Sequence, residues 1–169
     1  MTTSTIGVLL LDRYPLLRAG LRLIIESRAG IQVLHEDEPD ADLAAVIKHN
    51  PPDVVILSVV HSAQLELLGE MARQGLKVIV ISGEQENRIH HEAVRLGVTG
   101  LVMKEQPAAT LLKAIEKVHV GEVWLSRAVM AAVLNNMLSP PEAPGQVEAA
   151  VASLTERELE VIQELSLGL

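Results

Sequence analysis

Cysteine and phenylalanine are absent from this 169-residue sequence, and tyrosine and tryptophan occur once each, as Tyr14 and Trp124. Without thiols there is no disulfide framework and no thiolate metal site, which fits a reducing compartment. Two aromatic rings are too few for a platform on which nucleobases stack. Positive charge is also short: 14 Lys and Arg stand against 22 Asp and Glu, a formal net charge of −8. That balance argues against a general nucleic-acid binder, whose phosphate contacts need clustered Lys and Arg. No apolar run reaches the roughly 18 residues of a membrane-spanning helix, and Met1–Thr5 is polar, unlike a signal peptide. The cytoplasm is the expected location. No GxGxxG or Walker pattern occurs, so Gly97 and Gly100 read as turn residues. The six histidines form no ligand spacing: His90 and His91 are adjacent and diverge on a helix, and His35, His49, His61 and His119 are scattered. No metal and no cofactor are expected.

What the chain does have is aliphatic residues in a regular order. Hydrophobic residues make up 49% of it. Ile6–Leu11 (IGVLLL) is a nearly continuous apolar run, as a parallel strand buried on both faces requires. Pro15 suits the first turn of a helix, followed at helical spacing by Leu16, Leu17, Gly20, Leu21, Ile24 and Ile25. Further strands are predicted at Ile31–His35, Val54–Val60, Lys77–Ile81 and Gly100–Met103. The intervening helices are predicted at Ala41–His49, Ala63–Gln74, Glu86–Leu96 and Pro107–Val120. Five strands alternating with five helices imply an α/β fold, a parallel sheet covered on both faces. The flavodoxin-like strand order 2-1-3-4-5 is the expected arrangement. Beyond Gly121 the character changes. Glu122–Leu125 reads as extended, and Ser126 as the cap of an unusually apolar helix running to about Leu138. Ser139–Gly145 is a Pro-rich linker, and Glu156–Leu167 a short amphipathic helix capped by Ser153 or Thr155. The expected organisation is a receiver-like unit over 1–122, a helical and Pro-rich linker over 123–152, and the start of a further domain over 153–169.

Laid end to end, these segments resemble the NarL/FixJ subfamily of two-component response regulators with a LuxR-type output domain. The similarity is carried by Leu9–Leu21 (LLLDRYPLLRAGL), Pro51–Leu57 (PPDVVIL), Val78–Gly83 (VIVISG), Leu96–Glu105 (LGVTGLVMKE) and Gly121–Ser126 (GEVWLS). Leu154–Leu169 (LTERELEVIQELSLGL) is similar to the opening of a LuxR-type helix-turn-helix. The resemblance implies a set of groups at the carboxyl ends of strands 1, 3, 4 and 5. Two acids after strand 1 help hold Mg²⁺, and an Asp ending strand 3 accepts a phosphoryl group. A Ser or Thr after strand 4 and a Lys after strand 5 bind the phosphoryl oxygens. Cations are needed there because an anion attacks an anion only when the developing charge is neutralised.

This sequence matches that pattern at Asp12, Ser82 and Lys104 and departs from it elsewhere. Arg13 stands at the second acid and Ser58 at the phosphoacceptor. Leu101 occupies the aromatic switch position, and His61, Ser62 and Ala63 replace the usual Met-Pro-Gly. One carboxylate, Asp12, then faces two cations, Arg13 and Lys104, and the sign of the pocket reverses. Opposite charges about 4 Å apart attract by roughly 4 kcal/mol near a protein surface, so Arg13 or Lys104 is placed to pair with Asp12, unless Arg13 turns to solvent. Ser58 has a weakly nucleophilic hydroxyl and no evident base. The expectation is a regulatory, non-enzymatic protein: a phosphorylation-independent response regulator, forming a homodimer and meeting DNA only through a complete C-terminal domain. The alternatives are an interaction protein that sequesters a partner, or a receiver sensing an anion or small molecule in the remodelled pocket. Residues 154–169 supply only the scaffold helix before the helix-turn-helix, so specific DNA binding by this stretch alone is not expected.

Overall fold

The computed structural model describes residues 4–83 and 86–138, apart from the side chains of Asn136 and Met137. The Pro-rich linker and the helix expected at Glu156–Leu167 lie outside the described residues. The chain divides into two compact units, Met1–Val133 and Leu134–Leu169, and the first contains the whole sheet. Its strands are β1 (Ile6–Leu11), β2 (Ile31–Asp37), β3 (Val54–Ser58), β4 (Val78–Ser82) and β5 (Gly100–Met103). All four pairings are parallel and the order is β2-β1-β3-β4-β5, the flavodoxin-like arrangement. The helices are α1 (Pro15–Glu26), α2 (Ala44–His49), α3 (Ala63–Arg73), α4 (Asn87–Arg95), α5 (Ala108–His119) and α6 (Arg127–Leu138).

Strand side chains alternate between faces, and this divides the core in two. Val8, Leu10, Ile56, Ile79, Ile81 and Val102 pack with Leu21 and Ile25 of α1 and Leu111, Ile115 and Val118 of α5. Leu9, Leu11, Val55, Leu57, Val80 and Leu101 pack with Leu65, Leu68 and Met71 of α3 and Ala93 of α4. Because both faces are covered, every residue of β1, β3 and β4 is buried, which explains their unbroken apolar runs.

Several boundaries differ from the sequence reading. Strand β2 continues to Asp37, because its pairing with β1 resumes after a shift between Val8 and Leu9 and carries on to Leu11 opposite Asp37. Helix α2 starts at Ala44, whose N–H donates to Asp42 Oδ1 at 3.3 Å. Gly100 opens β5 and is not a turn residue; a Cβ there would lie 2.9 Å from Ile79 Cγ1 and 3.3 Å from Val118 Cγ2. Trp124 extends the sheet edge, its N–H donating to Thr99 O and its carbonyl accepting from Leu101 N–H, both at 2.9 Å. Ser126 caps α6, its Oγ accepting Val129 N–H at 3.2 Å. On α6, Val129 is buried in the second core and Val133 packs against it, while Met130 is exposed. One face of this apolar helix is therefore used by its own unit. Among the described residues, no helix is long and apolar enough to cross a membrane.

Candidate functional site

The carboxyl ends of parallel strands open where the sheet's pairing stops, and polar residues collect there. Asp12 directly follows β1, and its N–H donates to Asp37 O at 3.1 Å. It is 1% exposed. Its Oδ1 accepts Tyr14 N–H at 2.7 Å, which ties down the entry to α1, and its carbonyl accepts Arg18 Nη1 at 2.6 Å. Ser58 ends β3 opposite Ile81, and Ser82 ends β4 opposite Met103; both are buried. Lys104 follows β5, with its N–H donating to Ser82 O at 2.9 Å and its side chain exposed. The topology thus gathers Asp12, Ser58, Ser82 and Lys104 on one edge. Asp12 Oδ2 and Ser58 Oγ are buried polar atoms without a hydrogen-bond partner.

Arg13 does not join them. Its guanidinium reaches Asp40 at 3.1 Å, with both side chains at least half exposed. The expected pairing with Asp12 is therefore corrected: Asp12 turns inward beneath the sheet edge, whereas the next residue projects outward, where the β2–α2 loop presents Asp40. Lys104 does not pair with Asp12 either; its field falls on Glu86. With Arg13 turned away, the expected reversal of charge is not realised.

Ser82 is engaged on its other side. Its hydroxyl donates to Glu86 Oε2 at 2.5 Å, and the same oxygen accepts Gly83 N–H at 3.1 Å. His90 Nε2, on α4, lies 3.0 Å from Gly83 O and 3.1 Å from Ser82 Oγ. A carbonyl only accepts, so Nε2 carries the imidazole proton. Partial burial works to raise the Glu86 pKa, but the hydrogen bonds from Ser82 and Gly83, with Lys104 and His90 nearby, outweigh it and hold the carboxyl below its ordinary value. Burial pushes the His90 pKa down, against the opposing pull of the Gly83 carbonyl, Glu86 and Glu105.

Sequence reasoning did not find Glu86, His90 or Gln64. The signal for the first two was limited to the spacing of Glu86 and His90, one helical turn apart at the entry to α4; that Ser82 reaches both from the end of β4 is not encoded in any spacing. Gln64, buried on α3, closes the β3–α3 loop: its Oε1 accepts Val60 N–H at 2.6 Å and His61 N–H at 3.0 Å. Leu101 is 3% exposed and belongs to the second core. Among the described residues, no cluster of three His, Asp or Glu side chains is arranged to hold a metal ion.

The sheet order and the polar strand ends define a receiver. The chain belongs to the response regulator receiver domain family, whose model matches residues 8–116. It is a response regulator of the LuxR/NarL type, and such proteins are signalling regulators, not enzymes. It is 29% identical over 167 residues to the response regulator UvrY of Escherichia coli K12, covering 96% of this chain and 75% of that protein. With the uncharacterized transcriptional regulatory protein YxjL of Bacillus subtilis it shares 27% identity, covering 100% of this chain and 79% of YxjL. Among solved structures it is similar to the response regulator ChrA of a heme-sensing two-component system. There the TM-score is 0.66 at 27% identity, covering 98% of this chain and 77% of ChrA.

Proposed function

We propose that this chain is a phosphorylation-independent response regulator, a pseudo-receiver acting in transcription regulation through a LuxR-type domain whose opening is residues 153–169. The observation that carries the reading is Ser58 at the end of β3, where the family resemblance expects the phosphoacceptor carboxylate. A serine hydroxyl needs a base to become a nucleophile, and Ser58 Oγ has no hydrogen-bond partner at all. The residues present also do not fit Mg²⁺. A hard cation wants several oxygen ligands with compensating charge; Asp12 offers one carboxylate at the end of β1, and the position beside it supplies no second acid, since it holds Arg13, turned outward to Asp40. Phosphoryl transfer through that ion therefore has no footing here. Under this reading Asp12, Ser58, Ser82 and Lys104 form a degenerate pocket, with Arg13 outside it and Leu101 a core residue at the switch position. The name of YxjL and the LuxR/NarL membership support the transcriptional role. A cytoplasmic homodimer that meets DNA through a complete C-terminal domain completes the proposal, with a protein or small molecule as its input.

Incubation with acetyl phosphate and Mg²⁺, followed by intact mass, tests it. No Mg²⁺-dependent phosphoprotein is expected from the wild type or from Ser58→Asp, because the cation site stays incomplete. The double variant Arg13→Asp/Ser58→Asp should gain it. Phosphorylation of the wild type contradicts the reading.

A further inference from the structure

Two hydrogen-bond donors meet on one carboxylate oxygen in this molecule. Ser82, fully buried, gives its hydroxyl proton to Glu86 Oε2 at 2.5 Å, and Gly83 gives its N–H to the same oxygen at 3.1 Å. Lys104 adds the field of an ammonium from the end of β5. A hydroxyl and a backbone N–H on one oxygen, with an ammonium acting on it from further off, are generic equipment for holding an oxyanion by charge-assisted hydrogen bonds. His90 fastens the opposite edge: its Nε2–H reaches the carbonyl of that same Gly83 at 3.0 Å, so the peptide groups on both sides of Gly83 are held. By contrast, Ser58 Oγ and Asp12 Oδ2 receive nothing from Ser82. The hydroxyl is committed to Glu86 and not to its buried neighbours on β1 and β3.

We propose that the ends of β4 and β5 form an oxyanion site liganded by the chain's own Glu86, so that this carboxylate keeps a free inorganic anion out. Its regulatory meaning rests on the pseudo-receiver reading: an internal anion held by Ser82 and Gly83 sets the β4–α4 connection in one state without a phosphoryl group. The site itself stands on the geometry alone. Glu86 is half-buried and tethered by the backbone, so its effective concentration beside Ser82 exceeds that of any free anion at millimolar levels.

The test uses inorganic phosphate without Mg²⁺ on the 169-residue chain, read by the Gly83 amide resonance and by thermal unfolding against chloride controls. Wild type should show neither a saturable Gly83 shift nor a phosphate-dependent rise in Tm. Glu86→Ala should gain both, with phosphate affinity raised at least about tenfold, the worth of roughly one charge-assisted hydrogen bond. Adding Ser82→Ala or Lys104→Met to Glu86→Ala should abolish the gain. Acetate should substitute for phosphate in Glu86→Ala, because it restores the missing carboxylate. If Glu86→Ala fails to fold, Glu86→Gln, which keeps the shape and loses the charge, should show a weaker gain of the same sign. A folded Glu86 variant that ignores phosphate overturns the inference, as does a gain that survives Ser82→Ala. Neither failure bears on phosphorylation, which requires Mg²⁺ and a covalent product and is read by mass.

Discussion

A buried imidazole whose Nε2–H reaches a carbonyl makes the β4–α4 connection sensitive to acid at a single residue. His90 is held below the ordinary imidazole pKa of about 6.5 by burial, so the unfolded chain binds the extra proton more readily than the folded one. Stability therefore falls as pH drops from about 6.5 toward the folded value. Glu86, also depressed, works in the same direction at lower pH: its contribution is present above about 4.3 and is lost as the carboxyl protonates. The groups acting on His90 are Glu86, Glu105 and His91, and none of them reverses the sign. Urea unfolding at pH 7 and at pH 5.5 should show wild type losing more stability than His90→Gln, whose amide still donates to Gly83 O. Equal losses would show that His90 does not titrate in this window. At this scale the sequence was only partly legible. Asp12, Ser82 and Lys104 were found because the family resemblance places such groups at the strand ends, but the partner of Arg13 was not. Which of two carboxylates a guanidinium meets depends on where the β2–α2 loop sets Asp40, and no spacing in the sequence encodes that.

Elements were more legible, since buried parallel strands leave unbroken aliphatic runs. Every strand and helix of the first unit lies where its apolar pattern put it, to within a few residues. The misplaced ends have local causes, such as Asp42, whose side chain accepts the N–H of Ala44, the first residue of a helix that the pattern extended to Ala41. Two glycines show how context decides what a pattern cannot. Gly100 sits on β5 with Ile79 and Val118 against its missing side chain, whereas a Cβ on Gly20, in α1, would meet nothing within 4 Å. Gly100→Ala should cost about 1–3 kcal/mol through overpacking, and Gly20→Ala should stabilise by about 0.5–1 kcal/mol through reduced unfolded-state entropy and better helix propensity. Urea midpoints moving in the same direction would refute one of these two placements. The excess apolarity of α6 divides in the same way: Val129 and Val133 face the core, and Met130 does not.

For the whole molecule, Leu16, Leu23 and Met130 are exposed on the first unit and are the apolar side chains on offer to a second copy of the chain. Closed two-fold pairs are the commonest solution, and sedimentation at micromolar concentrations should find a dimer. Met130→Glu should dissociate it without loss of stability, since this side chain is not part of the core. A dimer that survives that change but not Leu16→Glu would move the interface to α1, and a monomeric wild type would contradict pairing altogether. Regulation without aspartyl phosphorylation is the central property proposed for this receiver, and the degenerate site proposed to underlie it is read only from Ser58 and Arg13 standing at positions that the resemblance assigns. Its most direct test is ¹⁹F NMR of the chain with beryllofluoride and Mg²⁺, which forms a phosphoryl-like adduct on an accepting carboxylate. The expected result is only the signals of free fluoride species and an unchanged amide spectrum. A bound, Mg²⁺-dependent ¹⁹F resonance with shifts at Asp12 and Ser58 would contradict it.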